Sequence, residues 1–158
     1  MRILFKGLGS IATKHLAACQ ELKPDSILAA WHHKPNSHGA SGSQSLDSLS
    51  SVEEAQSFRP DIVWICTPTH THPHCVREVA RLKTPLFLEK PIAGTLEGVQ
   101  NIRDTLSDYP APIFYGTLLR YHPELLKIKE INNISRYEIH AGSYLPDWRK
   151  GRDYRNTY

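Results

Sequence analysis

A glycine-rich turn at Gly7-Leu8-Gly9-Ser10-Ile11-Ala12 constrains the fold of this chain more than any other segment. It directly follows an apolar run at residues 2–6. It also opens a stretch, residues 10–22, in which apolar positions recur at helical spacing. A strand, a G-x-G-x-x-A turn and a helix in this order are the context in which the dinucleotide fingerprint carries meaning. The segment therefore predicts a Rossmann-like strand–turn–helix unit at the start of the chain.

Each small residue of this fingerprint has a physical task. The first glycine allows the tight turn, the second lets the backbone approach a pyrophosphate, and the small third residue lets the helix pack closely on the strand. The N-terminus of the helix presents backbone N–H groups and a partial positive charge to the phosphates. The alternative is a glycine turn that merely joins a strand to a helix. The residues expected to bind the cofactor are Gly7, Gly9, Ser10, Ile11 and Ala12.

Strand-like and helical segments alternate along most of the chain, as they do when helices cover both faces of a parallel sheet. The pattern predicts an α/β fold with a Rossmann-like, doubly wound parallel sheet. The predicted strands are 2–6, 27–31, 61–66, 86–89 and 112–116; the predicted helices are 10–22, 52–58, 73–83, 95–107 and 124–131, with Thr95 as an N-cap; residues 35–51 are predicted to be a loop.

The pattern changes near residue 132. Residues 135–142 alternate polar and apolar side chains, as a half-exposed antiparallel strand would, and a polar, aromatic tail follows. We interpret residues 121–158 as the incomplete start of a second α/β domain. A lone strand with one apolar face is an exposed edge. This segment is therefore expected to fold back on the first domain, to pair with another copy of the chain, or to be disordered.

Charge and cysteine content exclude several classes of protein. The formal net charge is +3 with no run of Lys or Arg, so neither nucleic acid nor an anionic membrane is expected as a partner. The three cysteines form no C-x-x-C pair, which indicates a reducing compartment. No segment supplies the ~20 consecutive apolar residues of a membrane helix, and no signal peptide is evident. We therefore expect a cytoplasmic protein.

The choice between NAD and NADP should depend on the residues that follow the second strand, where an acidic side chain would accept hydrogen bonds from a ribose diol. This chain has Trp31-His32-His33-Lys34 there. Donors without a carboxylate suit a 2′-phosphate, so the sequence favours NADP over NAD, with His32, His33 and Lys34 as cofactor-binding residues. The alternative is that the three form solvated surface. Trp31 would either stack on adenine or pack in the core.

A segment rich in histidine and cysteine covers residues 66–75. We do not expect a metal there, because histidines on a strand-to-helix loop need not converge and metal-site cysteines usually come as closely spaced pairs. The segment instead predicts a loop at the carboxyl edge of the sheet. Thr67, Pro68 and Thr69 would lie against the cofactor ribose, and His72 would cap the next helix.

The apolar run at residues 86–88 ends in Glu89-Lys90-Pro91. A lysine at the carboxyl end of a parallel strand lies in the crevice where open α/β sheets bind ligands. We expect Lys90, buried beside a cofactor, to exchange a proton with a substrate hydroxyl, and Glu89 to bind a ribose hydroxyl. The alternative is a surface Glu–Lys pair before a proline turn.

Taken together, these segments resemble the glucose–fructose oxidoreductase / inositol dehydrogenase / MocA (Gfo/Idh/MocA) family of NAD(P)-dependent oxidoreductases. The resemblance covers nearly the whole chain in order. It rests on GLGSIA at 7–12, ICTPTHTH at 65–72, LFLEKPIA at 86–93, YGTLLRYHP at 115–123 and SYLPDWRKGRDYR at 143–155.

The resemblance implies an NAD(P)-binding Rossmann domain at residues 1–120. Residues 121–158 would then begin a C-terminal domain that binds substrate and mediates oligomers. It also implies that Lys90 lies beside the nicotinamide and the substrate hydroxyl, and that Arg120 lies close to the active site. The pyrophosphate would contact Gly7, Gly9 and Ala12, and the ribose–nicotinamide edge would contact Thr67, Pro68, His72 and Glu89. The implied substrate is a sugar or a sugar nucleotide.

The chain also departs from the family pattern. Family members are much longer and carry a D-x-x-x-H motif whose histidine partners the lysine of the Glu-Lys-Pro motif. No D-x-x-x-H occurs in these 158 residues. We therefore expect the chain to bind a nicotinamide dinucleotide but to be inactive or weakly active alone. The alternative is a non-catalytic, dinucleotide-binding regulatory or scaffold subunit that another chain completes.

Overall fold

The computed structural model of the chain describes residues 1–32, 46–142, 144 and 153, and the predicted cofactor residues His33 and Lys34 lie outside these ranges. The strands are β1 (Arg2–Lys6), β2 (Ile27–Trp31), β3 (Asp47–Leu49), β4 (Ile62–Ile65), β5 (Leu86–Leu88) and β6 (Ile113–Tyr115). The α-helices are α1 (Ser10–Leu22), α2 (Val52–Phe58), α3 (His72–Ala80), α4 (Leu96–Thr105) and α5 (Pro123–Ile128), and short 3-10 helices form at Thr69–Thr71 and Leu118–Tyr121.

All six strands form one parallel sheet in the order β3-β2-β1-β4-β5-β6. The chain winds outward from β1 in one direction and then returns to β4 to wind in the other. This order confirms the predicted Rossmann-like, doubly wound sheet, and it places the reversal between β1 and β4.

The sheet separates two apolar clusters. Helix α1 packs on one face through a cluster of Ile3, Phe5, Ala12, Leu16, Leu28 and Cys66. Helices α2, α3 and α4 cover the other face, where the buried side chains include Leu4, Trp31, Phe58, Val76, Leu86 and Ile102. Trp31 is 1% exposed within this second cluster, so it packs in the core and does not stack on a bound adenine.

Local capping explains where two of the helices begin. The side chain of Thr95 accepts a hydrogen bond from the backbone N–H of Gly98, which confirms the predicted cap of α4. The side chain of Ser51 accepts one from the N–H of Glu54 in α2. Each cap satisfies an N–H group that has no partner within its own helix.

Two sequence expectations about strands are wrong. Strand β3 lies inside the segment 35–51 that was expected to be a loop. Its sequence, Asp47-Ser48-Leu49, has little strand propensity, and it is a strand because its backbone pairs with β2. Conversely, residues 135–142 form no strand and are exposed throughout. Alternating side chains cannot hold a strand whose backbone has no neighbour to pair with.

The chain divides into two compact units, Met1–Gly116 and Thr117–Tyr158. Within the second unit, every residue that the structure describes is exposed. The assignment of residues 1–120 to cofactor binding and of 121–158 to a substrate and oligomerisation domain stays a prediction. Over the described ranges, no helix is both long enough and apolar enough to cross a membrane.

Candidate functional site

The loops that follow β1, β4 and β5 meet at the carboxyl edge of the sheet, where the strand order reverses. Gly7 follows β1, Thr67 follows β4 soon after its last residue, and Glu89 follows β5. Open α/β sheets bind ligands in the crevice at this position. The edge therefore brings together the glycine turn, the Thr67–Thr69 loop and the Glu89–Lys90 pair.

Gly7 makes the closest contact of the turn. Its φ is +91°, in the left-handed region that favours glycine. A β-carbon at this position would lie 2.7 Å from Cγ2 of Thr67 and 3.2 Å from the backbone N of the same residue. The backbone of the glycine turn thus lies directly against the loop after β4, and only glycine fits there.

The start of α1 is open to a ligand. Gly9 is its N-cap, no side chain caps it, and its first turn contains no acidic residue. Gly9 and Ser10 are exposed, Ile11 is half-buried, and Ala12 is fully buried against the sheet. A β-carbon on Gly9 would meet only the carbonyl oxygen of Cys66, at 3.8 Å. The N–H groups at the start of α1 have no side-chain cap, and Gly9 leaves free space beside them. Both features fit the binding of a pyrophosphate.

His32, the residue after β2, is fixed by a backbone hydrogen bond to β3. The N–H of His32 donates to the carbonyl oxygen of Leu49 at 3.0 Å. Partial burial lowers the pKa of His32, and the positive charge of Lys6 lowers it further. The imidazole is therefore mainly neutral at neutral pH and adds little positive charge at this edge of the sheet.

An ion pair between a buried lysine and a partly buried glutamate lies at the end of β1. Nζ of Lys6 is 2.9 Å from Oε2 of Glu78 and 3.5 Å from the ring centroid of Trp31. Lys6 is 1% exposed, at the last position of β1 before the glycine turn. The pair links β1 to α3, and it was not predicted from the sequence.

His72 does not cap α3, contrary to expectation. Thr71 is the N-cap and makes no side-chain capping bond, while His72 is the first helical residue and is 1% exposed. Its Nε2 lies 2.9 Å from the carbonyl oxygen of Thr67, and its Nδ1 lies 3.0 Å from that of Ile92. The ring therefore ties the loop after β4 to the loop after β5. Pro68 is exposed and Thr69 half-buried beside it.

The cysteines near this loop are buried. Burial, aided by the charges of Glu89 and Cys19, raises the pKa of the Cys66 thiol to about 12. The Cys75 sulfur accepts a hydrogen bond from the Thr67 hydroxyl at 3.4 Å. In the part of the chain that the structure describes, no three His, Cys, Asp or Glu side chains converge as metal ligands would. Cys66 and Cys75 therefore pack beside the loop after β4, and the expected contact of Thr67, Pro68 and Thr69 with the cofactor ribose stays a prediction.

Glu89 is buried and engages both carboxylate oxygens. Oε1 lies 2.6 Å from Nε2 of His15, and Oε2 accepts the backbone N–H of Lys90 at 3.0 Å. A β-carbon on Gly116 would lie 2.9 Å from Oε2, so the backbone of Gly116 passes close to this oxygen. His15 was not among the site residues predicted from the sequence. The available signal was a histidine among the apolar positions of α1, next to Leu16.

Lys90 is exposed, so the burial expected for it is wrong. Its backbone is nevertheless fixed, because Glu89 accepts its N–H. Arg120 lies in the 3-10 helix Leu118–Tyr121 of the second unit, and its side chain is exposed. Its expected place near the active site stays a prediction.

Comparison with known proteins places this arrangement in a family. Residues 1–117 match the Gfo/Idh/MocA oxidoreductase family over its NAD-binding Rossmann fold. The inositol 2-dehydrogenase of Rhizobium meliloti (strain 1021) is 32% identical over 92 residues, which are 58% of this chain and 27% of that protein. The chain spans about a quarter of the length of the curated relatives that it matches.

Solved structures share the fold. The WlbA (WbpB) dehydrogenase from Thermus thermophilus, in complex with NAD and alpha-ketoglutarate, is 25% identical with a TM-score of 0.62; the match covers 82% of this chain and 45% of that one. The WlbA dehydrogenase from Bordetella pertussis has a TM-score of 0.69 at 20% identity, over 82% of this chain and 40% of that one, and supports the fold alone.

These matches confirm the family resemblance that GLGSIA and LFLEKPIA indicated. The family match spans most of the chain and ends one residue beyond the first compact unit. This chain therefore belongs to the Gfo/Idh/MocA oxidoreductase family, with its NAD-binding Rossmann fold in residues 1–117.

Proposed function

We propose that this chain binds a nicotinamide dinucleotide across the edge between β1 and β4, with the pyrophosphate on the turn from Gly7 to Ala12. The observation that carries the proposal is the close packing of Gly7 on Thr67 beside the α1 N-terminus that no side chain caps. The turn can approach a phosphate only because Gly7 and Gly9 have no side chains. The first-turn N–H groups of α1 then donate to the phosphate oxygens.

The residues around this edge have distinct parts in the proposed reaction. A bound nicotinamide would accept or donate the hydride. Lys90 would hold or exchange the proton of the substrate hydroxyl, for which its exposed side chain is accessible. His72 keeps the Thr67 carbonyl and the Ile92 carbonyl at a fixed separation, so that the ribose side and the lysine side of the crevice stay together.

For the cofactor, we propose that NADPH binds more tightly than NADH. No carboxylate follows β2 to accept hydrogen bonds from a ribose diol. Because His32 is mainly neutral, the positive charge for a 2′-phosphate would come from Lys34. Lys34→Glu should reverse the preference, and an unchanged NADPH:NADH affinity ratio would contradict this assignment.

For the substrate, we propose a hydroxyl of a sugar, a polyol or a sugar nucleotide. The 32% identity to an inositol 2-dehydrogenase supports a polyhydroxylated substrate. We also propose that these 158 residues turn over slowly by themselves, because the sequence contains no D-x-x-x-H motif. Loss of a general acid or base typically lowers the rate by about 10²–10⁴-fold.

One observation favours a second candidate function, a dinucleotide-binding subunit that another chain completes. The described part of the second unit exposes large apolar side chains without a core of its own, among them Leu118, Leu119, Tyr121, Ile131, Tyr137 and Ile139. Light scattering over a range of concentrations tests this. Self-association would show that the partner is a second copy of the chain, which we propose to bind through residues 121–158. A strictly monomeric chain would contradict that partner.

Two substitutions of Ser10 test dinucleotide binding through charge alone. Ser10→Glu places a carboxylate in the first turn of α1, where it favours the helix by about 0.3–1 kcal/mol. It should also repel the pyrophosphate by about 1–3 kcal/mol at ~5 Å for effective dielectric constants between about 80 and 20. Affinity for NADH should therefore fall by about 5–150-fold.

Ser10→Gln is the matched control, since it has the same shape without the charge. It should keep the NADH affinity within about threefold, a change below 1 kcal/mol. Fluorescence titration of both variants gives the comparison. Equal affinities of the Glu and Gln variants would contradict the pyrophosphate position.

A further inference from the structure

We infer that His15 is a positioning residue for Lys90 and acts through the carboxylate of Glu89; the inference rests on the proposed function. His15 belongs to α1, whose N-terminus is the proposed pyrophosphate site, whereas Glu89 and Lys90 follow β5. His15 and Glu89 are 74 residues apart in sequence, and their side chains meet at 2.6 Å.

The ring of His15 is fixed by its surroundings. It lies edge-on to Trp64, with ring centroids 4.6 Å apart, and edge-on to Phe87, at 5.6 Å. Its side chain is 13% exposed and that of Glu89 is 5% exposed. With its proton on Nε2, the ring donates to Oε1 of Glu89. A short bond to a buried carboxylate is among the stronger hydrogen bonds in proteins.

Glu89 transmits this fixed position to Lys90. A buried carboxylate is costly unless hydrogen bonds satisfy it, and Glu89 has one partner on each oxygen. Oε1 faces His15, and Oε2 accepts the backbone N–H of Lys90 at 3.0 Å. The backbone of Gly116 also passes close to Oε2, since a β-carbon added at Gly116 would lie 2.9 Å from this oxygen. The backbone of Lys90 is thereby held in one place.

This geometry favours a positioning role for Glu89 over the ribose contact that the sequence suggested. Glu89 is 4% exposed and both oxygens already have partners, so little of the carboxylate faces a ligand. Two hydrogen bonds in series instead link His15, Glu89 and the Lys90 amide. They connect the helix that would hold the pyrophosphate to the lysine that would serve the substrate. Through these bonds, α1 helps to set the backbone position from which the Lys90 side chain extends.

The test compares two substitutions of similar size. His15→Leu retains packing against Trp64 and Phe87 but has no N–H group, whereas His15→Gln carries an N–H group at a similar reach. His140→Leu is the control, because it removes an exposed His–Glu contact of 2.9 Å in the second unit. For each protein, calorimetry gives the NADH affinity. Mass spectrometry gives the rate at which acetic anhydride modifies Lys90, with and without NADH.

We expect NADH at about ten times its Kd, which occupies about 90% of the protein, to slow acetylation of Lys90 in the wild type by up to about tenfold. In His15→Leu, this protection should fall below about twofold while the Kd stays within about threefold, a change of less than 1 kcal/mol. His15→Gln and His140→Leu should behave as the wild type. A structural defect alone would weaken affinity and protection together. The acetylation rate of exposed Lys83 is the reference for that of Lys90.

Three results would overturn the inference. Full protection of Lys90 in His15→Leu would show that the bond to Glu89 does not position the lysine. A parallel fall in affinity and protection would show that His15 supports the fold or the binding site as a whole and does not specifically position Lys90. A wild type that binds no NADH would refute the proposed function, and the inference with it, which distinguishes this failure from the other two. If His15→Leu does not fold, Glu89→Asp replaces it, because the shorter carboxylate cannot reach both partners; retained protection there would likewise overturn the inference.

Discussion

Replacement of single glycines should separate the folding task of the glycine turn from its binding task. Gly7 has φ +91°, and a β-carbon there would lie 2.7 Å from Cγ2 of Thr67 and 3.2 Å from its backbone. Gly9 has φ −75°, and its β-carbon would meet only the carbonyl oxygen of Cys66, at 3.8 Å. Alanine is therefore strained at Gly7 and sterically tolerated at Gly9.

The expected cost at Gly7 follows from these contacts. A left-handed backbone costs an L-residue about 1–2 kcal/mol, and crowding in a packed site costs about 1–3 kcal/mol. Gly7→Ala should lower the free energy of unfolding by about 2–5 kcal/mol, out of a typical total of about 5–15 kcal/mol. At Gly9, a poorer N-cap costs about 0.5–1 kcal/mol. A less flexible unfolded chain offsets that by about 0.4–1 kcal/mol.

Urea unfolding followed by tryptophan fluorescence measures both variants, and NADH titration measures binding. Gly7→Ala should show a clearly lower unfolding midpoint. Gly9→Ala should unfold within about 1 kcal/mol of the wild type but bind NADH at least about tenfold more weakly, because its methyl group lies where the pyrophosphate approaches. An unchanged midpoint for Gly7→Ala, or equal destabilisation by both substitutions, would show that Gly7 is not confined against Thr67 in this way.

Four further predictions concern charges and thiols. Glu78→Gln should lower the free energy of unfolding by about 3–5 kcal/mol, because it leaves the buried ammonium of Lys6 without its carboxylate; a double variant with Lys6→Met should regain most of this in the same urea assay. The Cys66 thiol, whose pKa is raised to about 12, should resist iodoacetamide at pH 8.5 until the chain unfolds, and half-buried Cys19 should react first. Because Cys66 stays protonated in the fold, its contribution to stability should be full below about pH 8.5 and decline as the pH rises towards 12. Lys90→Ala should keep NADH affinity within about threefold, and a collapse in affinity would show that Lys90 serves binding.

Local patterns in the sequence predict much of the fold. The G-x-G-x-x-A turn, the apolar runs of β1, β2, β4 and β5, and the Thr95 cap each depend on neighbours within a few residues, and the structure confirms all of them. Strand β3 escapes prediction because its pairing partner β2 is distant in sequence and its own composition is polar. Residues 135–142 show the opposite error: polar and apolar side chains alternate as in a strand, but no strand forms because none lies beside them to pair with.

The candidate site is only partly visible in the sequence for the same reason. The turn at Gly7 and the pair Glu89–Lys90 stand out as motifs. The contact between His15 and Glu89 joins residues 74 apart, and the two ring contacts of His72 join separate loops. Spacing along the chain cannot reveal such contacts, since they depend on which loops the sheet brings to one edge.

Dinucleotide binding itself is measured by calorimetric titration of the wild-type chain with NADH and NADPH. We expect saturable binding at one site per chain, with a Kd below about 1 mM for at least one of the two. The affinity should be about 5–150-fold lower in Ser10→Glu and nearly unchanged in Ser10→Gln. An absence of binding heat for both dinucleotides at millimolar concentration, in a chain that is shown to be folded, would contradict the proposed binding.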